Sequence, residues 1–134
     1  MNQAALPKRF IFNEKLDSDY LFSLYADDYA YVEEIFDTTL RHFDQDFSAL
    51  ELAWEAGNVA DLKKATHKIK PTFGFVGLPD VQEICRNFED NCQKSGSTEE
   101  LRNDYKQIVT TLAESKALIE SEYRRLKEFN LNPL

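Results

Sequence analysis

The chain has 134 residues, a length that predicts one domain with an ordinary hydrophobic core. Its 24 acidic residues outnumber its 16 basic residues, and the net charge of -8 argues against general affinity for nucleic acid or for an anionic membrane. No apolar run approaches the roughly 20 residues of a membrane helix, and the first residues lack the apolar stretch of a secretory signal, so we expect a cytoplasmic protein.

Apolar residues recur along the chain at spacings of three and four, the period of an amphipathic α-helix, and only four glycines and four prolines interrupt them. Ser18 is expected to cap a short first helix that runs to about Tyr25. Asp27 is expected to cap a second helix, which ends at Gly57 and in which the polar residues 44–46 permit a break or bend.

The rest of the chain shows the starts of three further helices. Asn58 is predicted to cap a third helix, and Pro79 fits the first turn of a fourth helix that ends at Gly96. Ser97 and Glu100 have the spacing of a capping box, which predicts the start of a last long helix.

The connections between these amphipathic helices are short, which favours antiparallel neighbours. We therefore predict an all-α fold, an antiparallel up-and-down four-helix bundle with short additional N-terminal helices. Residues 1–134 are expected to form this single domain, with residues 1–13 and 130–134 loosely ordered at its ends.

Cys85 and Cys92 fall seven residues apart in the predicted fourth helix, which separates them by about 10 Å along its axis. This distance exceeds the reach of a disulfide, so we expect two buried free thiols. The other soft ligands, His42 and His67, give no C-x-x-C or H-x-x-x-H spacing, so no metal site is predicted. His42 lies at the border of the apolar face of its helix and is expected at the surface.

A positively charged stretch lies in the third helix, where residues 63–70 read KKATHKIK and contain four lysines and no acid. With Leu62, Ile69 and Phe73 taken as the inward direction, His67 points about 140° away from the core. A charged stretch is usually only a solvated helix face. An exposed imidazole among ammonium groups, however, also suits a ring nitrogen that accepts a phosphoryl group.

The stretch from Ala65 to Asp90, ATHKIKPTFGFVGLPDVQEICRNFED, resembles the signature of histidine-containing phosphotransfer (HPt) domains. It shares with that family a histidine, a lysine three residues later, small residues and a glycine, and then a helix with a cysteine and a glutamate. The preceding segments LFSLYADDYAYVEEIF and WEAGN extend the similarity over most of residues 20–95. The resemblance implies a helical bundle that serves as a phosphorelay carrier and is not an enzyme.

The resemblance also implies roles for particular residues. His67 would be the phosphoacceptor, Lys70 would lie beside the phosphoryl group, and Glu89 would orient the imidazole ring through a hydrogen bond. The positions expected to face a partner are Lys63, Lys64, Lys68, Pro71, Gly74 and Arg86. Glycine at position 74 would remove side-chain bulk where another protein presses close.

A carrier of this family would exchange the phosphoryl group with aspartates of response-regulator receiver domains, and its partners would include a hybrid histidine kinase. It would need no cofactor of its own, since the receiver supplies Mg²⁺, and it would work as a monomer. Two alternatives remain open. One is a module of the same fold that docks on receivers without carrying phosphate, and the other is an enzyme with His67 and Glu89 as an acid-base pair, for which no pocket is evident.

The sequence departs from the family pattern at Pro71, where the family usually has glycine or alanine. Proline at this position removes the amide that would bond the His67 carbonyl, at a cost of about 3 kcal/mol in a helix interior. We therefore expect a bend just after Lys70. The bend either has no consequence or tunes the presentation of His67.

Overall fold

The structure is a computed structural model that describes residues 8–132. In this range the helices are α1 (Ser18–Tyr25), α2 (Tyr29–Glu55), α3 (Val59–Phe75), α4 (Pro79–Lys94) and α5 (Arg102–Leu131), and a 3-10 turn (Thr98–Leu101) precedes α5. No strand occurs among these residues. The predicted all-α class is confirmed, with α1 as the one additional N-terminal helix of the described range.

Helices α2 to α5 form the four-helix bundle. Helix α3 packs between α2 and α4, and α5 closes the bundle against the same two helices. The connections from α2 to α3 and from α3 to α4 span only residues 56–58 and 76–78, so successive helices run antiparallel. The core is apolar, and its largest fully buried side chains are Phe36, Phe73, Leu21, Leu50, Leu62, Ile69, Leu101, Ile108, Leu112, Ile119 and Leu126.

Two of the predicted N-caps are wrong by one residue. The Asp17 carboxylate accepts a hydrogen bond from the amide three residues later, so Asp17 caps α1 and Ser18 is the first helical residue. The Asp28 carboxylate accepts a hydrogen bond from the Tyr31 amide, so the N-cap of α2 is Asp28 and not Asp27. In both cases the neighbouring side chain is also a good cap in isolation, and only the backbone geometry decides which of the two accepts the bond.

The boundary between α2 and α3 agrees with the sequence prediction. Gly57 has a φ of +64°, the left-handed conformation that ends α2. The Asn58 side chain accepts a hydrogen bond from the Asp61 amide at 3.0 Å and caps α3. Pro79 occupies the first turn of α4, as predicted.

The polar residues 44–46 were expected to permit a break or bend, and in the structure α2 runs without a break from Tyr29 to Glu55. The polar side chains of this stretch instead reach across the surface to other helices. Asp44 lies 2.7 Å from the Lys116 ammonium of α5, and Asp46 lies 3.3 Å from the Lys68 ammonium of α3. A polar run in the middle of a helix therefore marks a solvent-facing side and not an end.

The predicted capping box before α5 is also wrong. Ser97 makes no capping bond, and the Glu100 carboxylate accepts from the Gly96 amide at 3.3 Å instead. The chain first forms the 3-10 turn, whose last residue, Leu101, is buried in the core. The α-helix begins only at Arg102.

The N-terminal segment before α1, part of the range expected to be loosely ordered, packs against α5. The Glu122 carboxylate, 1% exposed, accepts a hydrogen bond from the Asn13 amide at 2.9 Å. The Arg125 guanidinium binds the other oxygen of Glu122 and donates to the Ile11 carbonyl at 2.8 Å. Phe10 is buried beside these groups. A buried carboxylate requires such donors, and here the segment supplies one of them.

The C-terminal end of α5 is held in a similar way. Asn130 donates hydrogen bonds to the Tyr29 carbonyl at 3.0 Å and to the Glu33 carboxylate at 2.8 Å. Helix α5 continues to Leu131, so residues 130 and 131 are helical. The parts of the same prediction that concern residues 1–7, 133 and 134 lie outside the described residues.

We expect Glu122→Ala to lower the free energy of unfolding by about 3 kcal/mol, because Arg125 and the Asn13 amide lose a buried anionic partner. Urea denaturation followed by circular dichroism measures the change. Glu128→Ala, an exposed substitution on the same helix, is the matched control and should stay near wild type. Equal unfolding free energies for the two variants would contradict the assigned role of Glu122.

Candidate site around His67

His67 lies near the middle of α3 and points to solvent. The same helix buries Leu62, Ile69 and Phe73, which confirms the inward direction predicted from the sequence. The His67 side chain is 70% exposed. The imidazole is therefore accessible to another protein, as a group that exchanges a phosphoryl moiety requires.

Glu89 of α4 fixes the orientation of the His67 ring. Its Oε1 lies 2.6 Å from Nδ1 of the imidazole. A carboxylate can only accept in this contact, so Nδ1 carries the proton and donates it. The lone pair of the imidazole is then on Nε2, the ring nitrogen that Glu89 does not engage.

Lys70 binds the same carboxylate from the other side. Its ammonium lies 2.7 Å from Glu89 Oε2, and its side chain is only 17% exposed. The two oxygens of Glu89 thus accept hydrogen bonds from two residues of α3, His67 and Lys70, which lie one helical turn apart. Lys70 was expected beside the phosphoryl group, and in the structure its ammonium is directed at Glu89.

The environment of Glu89 keeps it ionised. Its side chain is 12% exposed, and burial by itself raises its pKa. The hydrogen bonds and charges of Lys70 and His67 act in the opposite direction and outweigh burial, so the pKa lies below the ordinary value. At neutral pH Glu89 is therefore a carboxylate that can accept both bonds.

The other predicted cations divide into two groups. Lys68 pairs with Asp46 of α2, and Arg86 pairs with Glu83 one turn earlier on α4 at 3.1 Å. Lys63 and Lys64, in contrast, line a surface groove together with His67. The structure thus places two of the predicted cations in the same groove as the imidazole and pairs two others with carboxylates.

The groove runs between α3 and α4 and has a volume of about 720 Å³. Val59, Ala60 and the buried Cys92 contribute its apolar part, and His67 and Glu89 lie along it. This groove corrects the expectation that no pocket is evident beside His67. The groove is lined by residues of two different helices, a combination that sequence periodicity alone does not predict.

Gln93, which the sequence analysis did not single out, also lines the groove. Its Oε1 accepts a hydrogen bond from the Lys63 ammonium. The spacing of Gln93 could have identified it from the sequence, since it follows Glu89 by four residues and therefore lies on the same face of α4.

Gly74 does not lie open to a partner, contrary to expectation. It is buried, and a Cβ at this position would come within 2.9 Å of the Gln82 side chain of α4. The glycine therefore makes room for helix packing inside the bundle. Pro71 is exposed within α3, and the helix continues beyond it to Phe75.

Cys85 and Cys92 are free and buried, as predicted. Burial raises the pKa of the Cys85 thiol to about 12 and that of Cys92 to about 11, so both remain protonated. Within residues 8–132, no cluster of three or more histidine, cysteine or acidic side chains is arranged to hold a metal ion. His42 is exposed, in agreement with the sequence.

A family model described as "Hpt domain" matches residues 34–127, more than half of the chain. The chain belongs to the Hpt domain family. The matched range contains all of α3 and α4, and with them His67, Lys70 and Glu89. Family membership confirms the resemblance found in the sequence and gives the chain a general role in phosphotransfer within phosphorelay signalling.

Two solved structures share the Hpt fold with this chain. The HPT domain from the Hpt sensor hybrid histidine kinase from Shewanella is 14% identical with a TM-score of 0.71, and the match covers 83% of this chain and 95% of that one. Histidine-containing phosphotransfer protein B from Pseudomonas aeruginosa PAO1 is 20% identical with a TM-score of 0.70, covering 84% and 96%. No curated protein sequence matches the chain.

In the described residues, no helix is both long enough and apolar enough to cross a membrane.

Proposed function

We propose that His67 accepts a phosphoryl group from a phosphoaspartate of a response-regulator receiver domain and passes it to a second receiver. The observation that carries this proposal is the contact of 2.6 Å between Nδ1 of an exposed imidazole and the Glu89 carboxylate. It leaves the Nε2 lone pair free on the surface. Membership in the Hpt domain family agrees with this assignment.

The transfer step balances with the groups at the site. The Nε2 lone pair forms a bond to phosphorus while the P–O bond to the aspartate breaks, and the bond pair leaves on the carboxylate oxygen. The imidazole keeps its Nδ1 proton and becomes positively charged. Glu89 accepts from that proton, so its negative charge stabilises the ring as the charge develops.

The chain would act as a carrier and not as an enzyme that turns over a small substrate. It contributes an oriented nucleophile, and the receiver would contribute Mg²⁺ and the acidic pocket around its aspartate. The donor receiver would either be a domain of a hybrid histidine kinase or be phosphorylated by such a kinase. A single copy of the chain presents the complete triple of His67, Lys70 and Glu89, so no second copy is required.

The test is transfer from a receiver domain that has been labelled with a radioactive phosphoryl group in the presence of Mg²⁺. We expect an acid-labile, alkali-stable adduct on the wild-type chain and no adduct on His67→Gln. His42→Gln, which removes the other exposed histidine, is the matched control and should be labelled like wild type.

Two outcomes would overturn the proposal. Binding of the phosphorylated receiver without transfer would make the chain a docking module of the same fold. An adduct that persists on His67→Gln would place the phosphoryl group on another residue.

A further inference from the structure

We propose that Lys63, held in place by Gln93, is the cation that contacts the phosphoryl group on Nε2 of His67. Gln93 is then a positioning residue for the transfer. This inference rests on the proposed function and adds to it the side chain that recognises the transferred group.

The lysine three residues after the histidine does not have its charge available. The ammonium of Lys70 forms an ion pair of 2.7 Å with Glu89, and the same carboxylate binds the Nδ1 side of the ring. Lys70 is therefore paired with the carboxylate that engages Nδ1, and not with a group at the nucleophilic nitrogen Nε2. A phosphoryl group on Nε2 needs a different cation.

Two further cations near the site are also neutralised by carboxylates. Lys68 pairs with Asp46 at 3.3 Å, and Arg86 pairs with Glu83 at 3.1 Å. Lys64 lies on the groove, but within residues 8–132 it makes no ion pair or side-chain hydrogen bond that would hold it in one position. None of these three combines a defined position with an unneutralised charge.

Lys63 combines both properties. It precedes His67 by four residues, so the two side chains lie on the same face of α3, and both line the groove. Its ammonium donates to Oε1 of Gln93, a neutral amide. The amide orients the ammonium without cancelling its charge, and two of its three N–H donors remain for phosphoryl oxygens.

The chemical consequence is strongest in the transition state. The transferred phosphoryl group passes through a loose arrangement in which negative charge is spread over its oxygens. An ammonium that is already in place stabilises that charge without the cost of ordering a long side chain. Val59 and Cys92 give the groove an apolar wall beside these polar groups.

Phosphoramidate is the probe for the test, because this small donor labels histidine without protein docking. The Nε2–P bond forms while the P–N bond of the donor breaks, and ammonia leaves with the bond pair. The variants are Lys63→Gln and Gln93→Leu. The controls are Lys94→Gln, which removes a charge from the exposed end of α4, and Gln107→Leu, which makes the same amide change on α5.

We expect Lys63→Gln to slow labelling by about tenfold and Gln93→Leu to slow it by about threefold. These effects are smaller than those of removing a fully buried hydrogen-bond donor, because the Lys63–Gln93 pair is close to solvent. Both controls should label at the wild-type rate. The difference between wild type and Lys63→Gln should shrink with added salt, since screening weakens the attraction of an ammonium for a phosphoryl anion. A purely structural role of Lys63 would not produce that salt dependence.

Gln93→Glu separates charge from position. This variant still holds the Lys63 ammonium but neutralises it, so we expect labelling as slow as in Lys63→Gln. Rates equal to wild type in either Gln93→Glu or Lys63→Gln would overturn the inference, while labelling of wild type on His67 would still stand as evidence for the proposed function. Loss of labelling in the wild type itself would instead refute the proposed function and the inference with it.

Discussion

Glu89→Ala is expected to slow the phosphorylation of His67 by about 100-fold, within the range that a group acting on a developing charge contributes. The substitution removes the acceptor that keeps the proton on Nδ1. It also removes the negative charge beside the imidazolium that forms during transfer. In addition, it leaves the Lys70 ammonium without its carboxylate partner. The positive charge of this ammonium then disfavours the positive charge that develops on the imidazole.

The measurement is the initial rate of labelling by phosphoramidate, compared with that of Asp90→Ala. This control removes an exposed carboxylate from the next position of α4 and should leave the rate unchanged. Glu89→Gln preserves an acceptor oxygen but not the charge, so its rate should fall between those of wild type and Glu89→Ala. A rate for Glu89→Ala within threefold of the Asp90→Ala rate would show that the contact to His67 is dispensable. Such a ratio corresponds to a difference in activation free energy of about 0.6 kcal/mol or less.

The lowered pKa of Glu89 also predicts a pH dependence of stability. Burial raises the pKa, but the bonds from Lys70 and His67 bring it below the ordinary value of 4.5, so the unfolded chain binds this proton more tightly than the folded chain. The stabilisation is therefore complete above about pH 4.5 and is lost as the pH falls through the folded-state pKa. We expect the difference in unfolding free energy between wild type and Glu89→Gln to be larger at about pH 5.5 than at about pH 3. A difference that grows on acidification would contradict the assigned ion pair.

Gly77→Ala is expected to lower the free energy of unfolding by about 3 kcal/mol, since two costs add at this position. Gly77 has a φ of +79°, a conformation that side chains with a Cβ rarely adopt. An added Cβ would also lie 2.7 Å from Cδ1 of Leu21, which is 1% exposed and belongs to the hydrophobic core. The Gly77 carbonyl further accepts the Asp17 amide at 2.8 Å, so distortion here disturbs the entry to α1.

Gly96→Ala provides the matched control for Gly77→Ala. The nearest atom to an added Cβ at Gly96 is Glu100 Oε1 at 4.0 Å, and its φ is not in the left-handed region. Urea denaturation should therefore give a midpoint near that of wild type for Gly96→Ala and a clearly lower one for Gly77→Ala. Indistinguishable midpoints would mean that the loop between α3 and α4 relaxes around the added methyl group.

The sequence predicted features that depend on one helix at a time. The spacing of Leu62, Ile69 and Phe73 is a property of α3 alone, and it was sufficient to place His67 on the outside. Caps were predicted less well, because adjacent residues such as Ser18 and Asp17 can both accept the bond and the choice depends on the local backbone. The continuity of α2 through Asp44 and Asp46, whose side chains pair with lysines of other helices, was left open by the sequence.

By itself, the amino-acid sequence therefore determined the helical class, the outward imidazole and the separation of the two cysteines. The tertiary structure decided which groups from different helices meet: Lys70 with Glu89, Lys63 with Gln93, and Gly74 against Gln82. The physical reason is that hydrophobic periodicity defines the direction of a side chain around its own helix axis. It does not define how far one helix slides or rotates against its neighbour, which depends on the packing of the whole core.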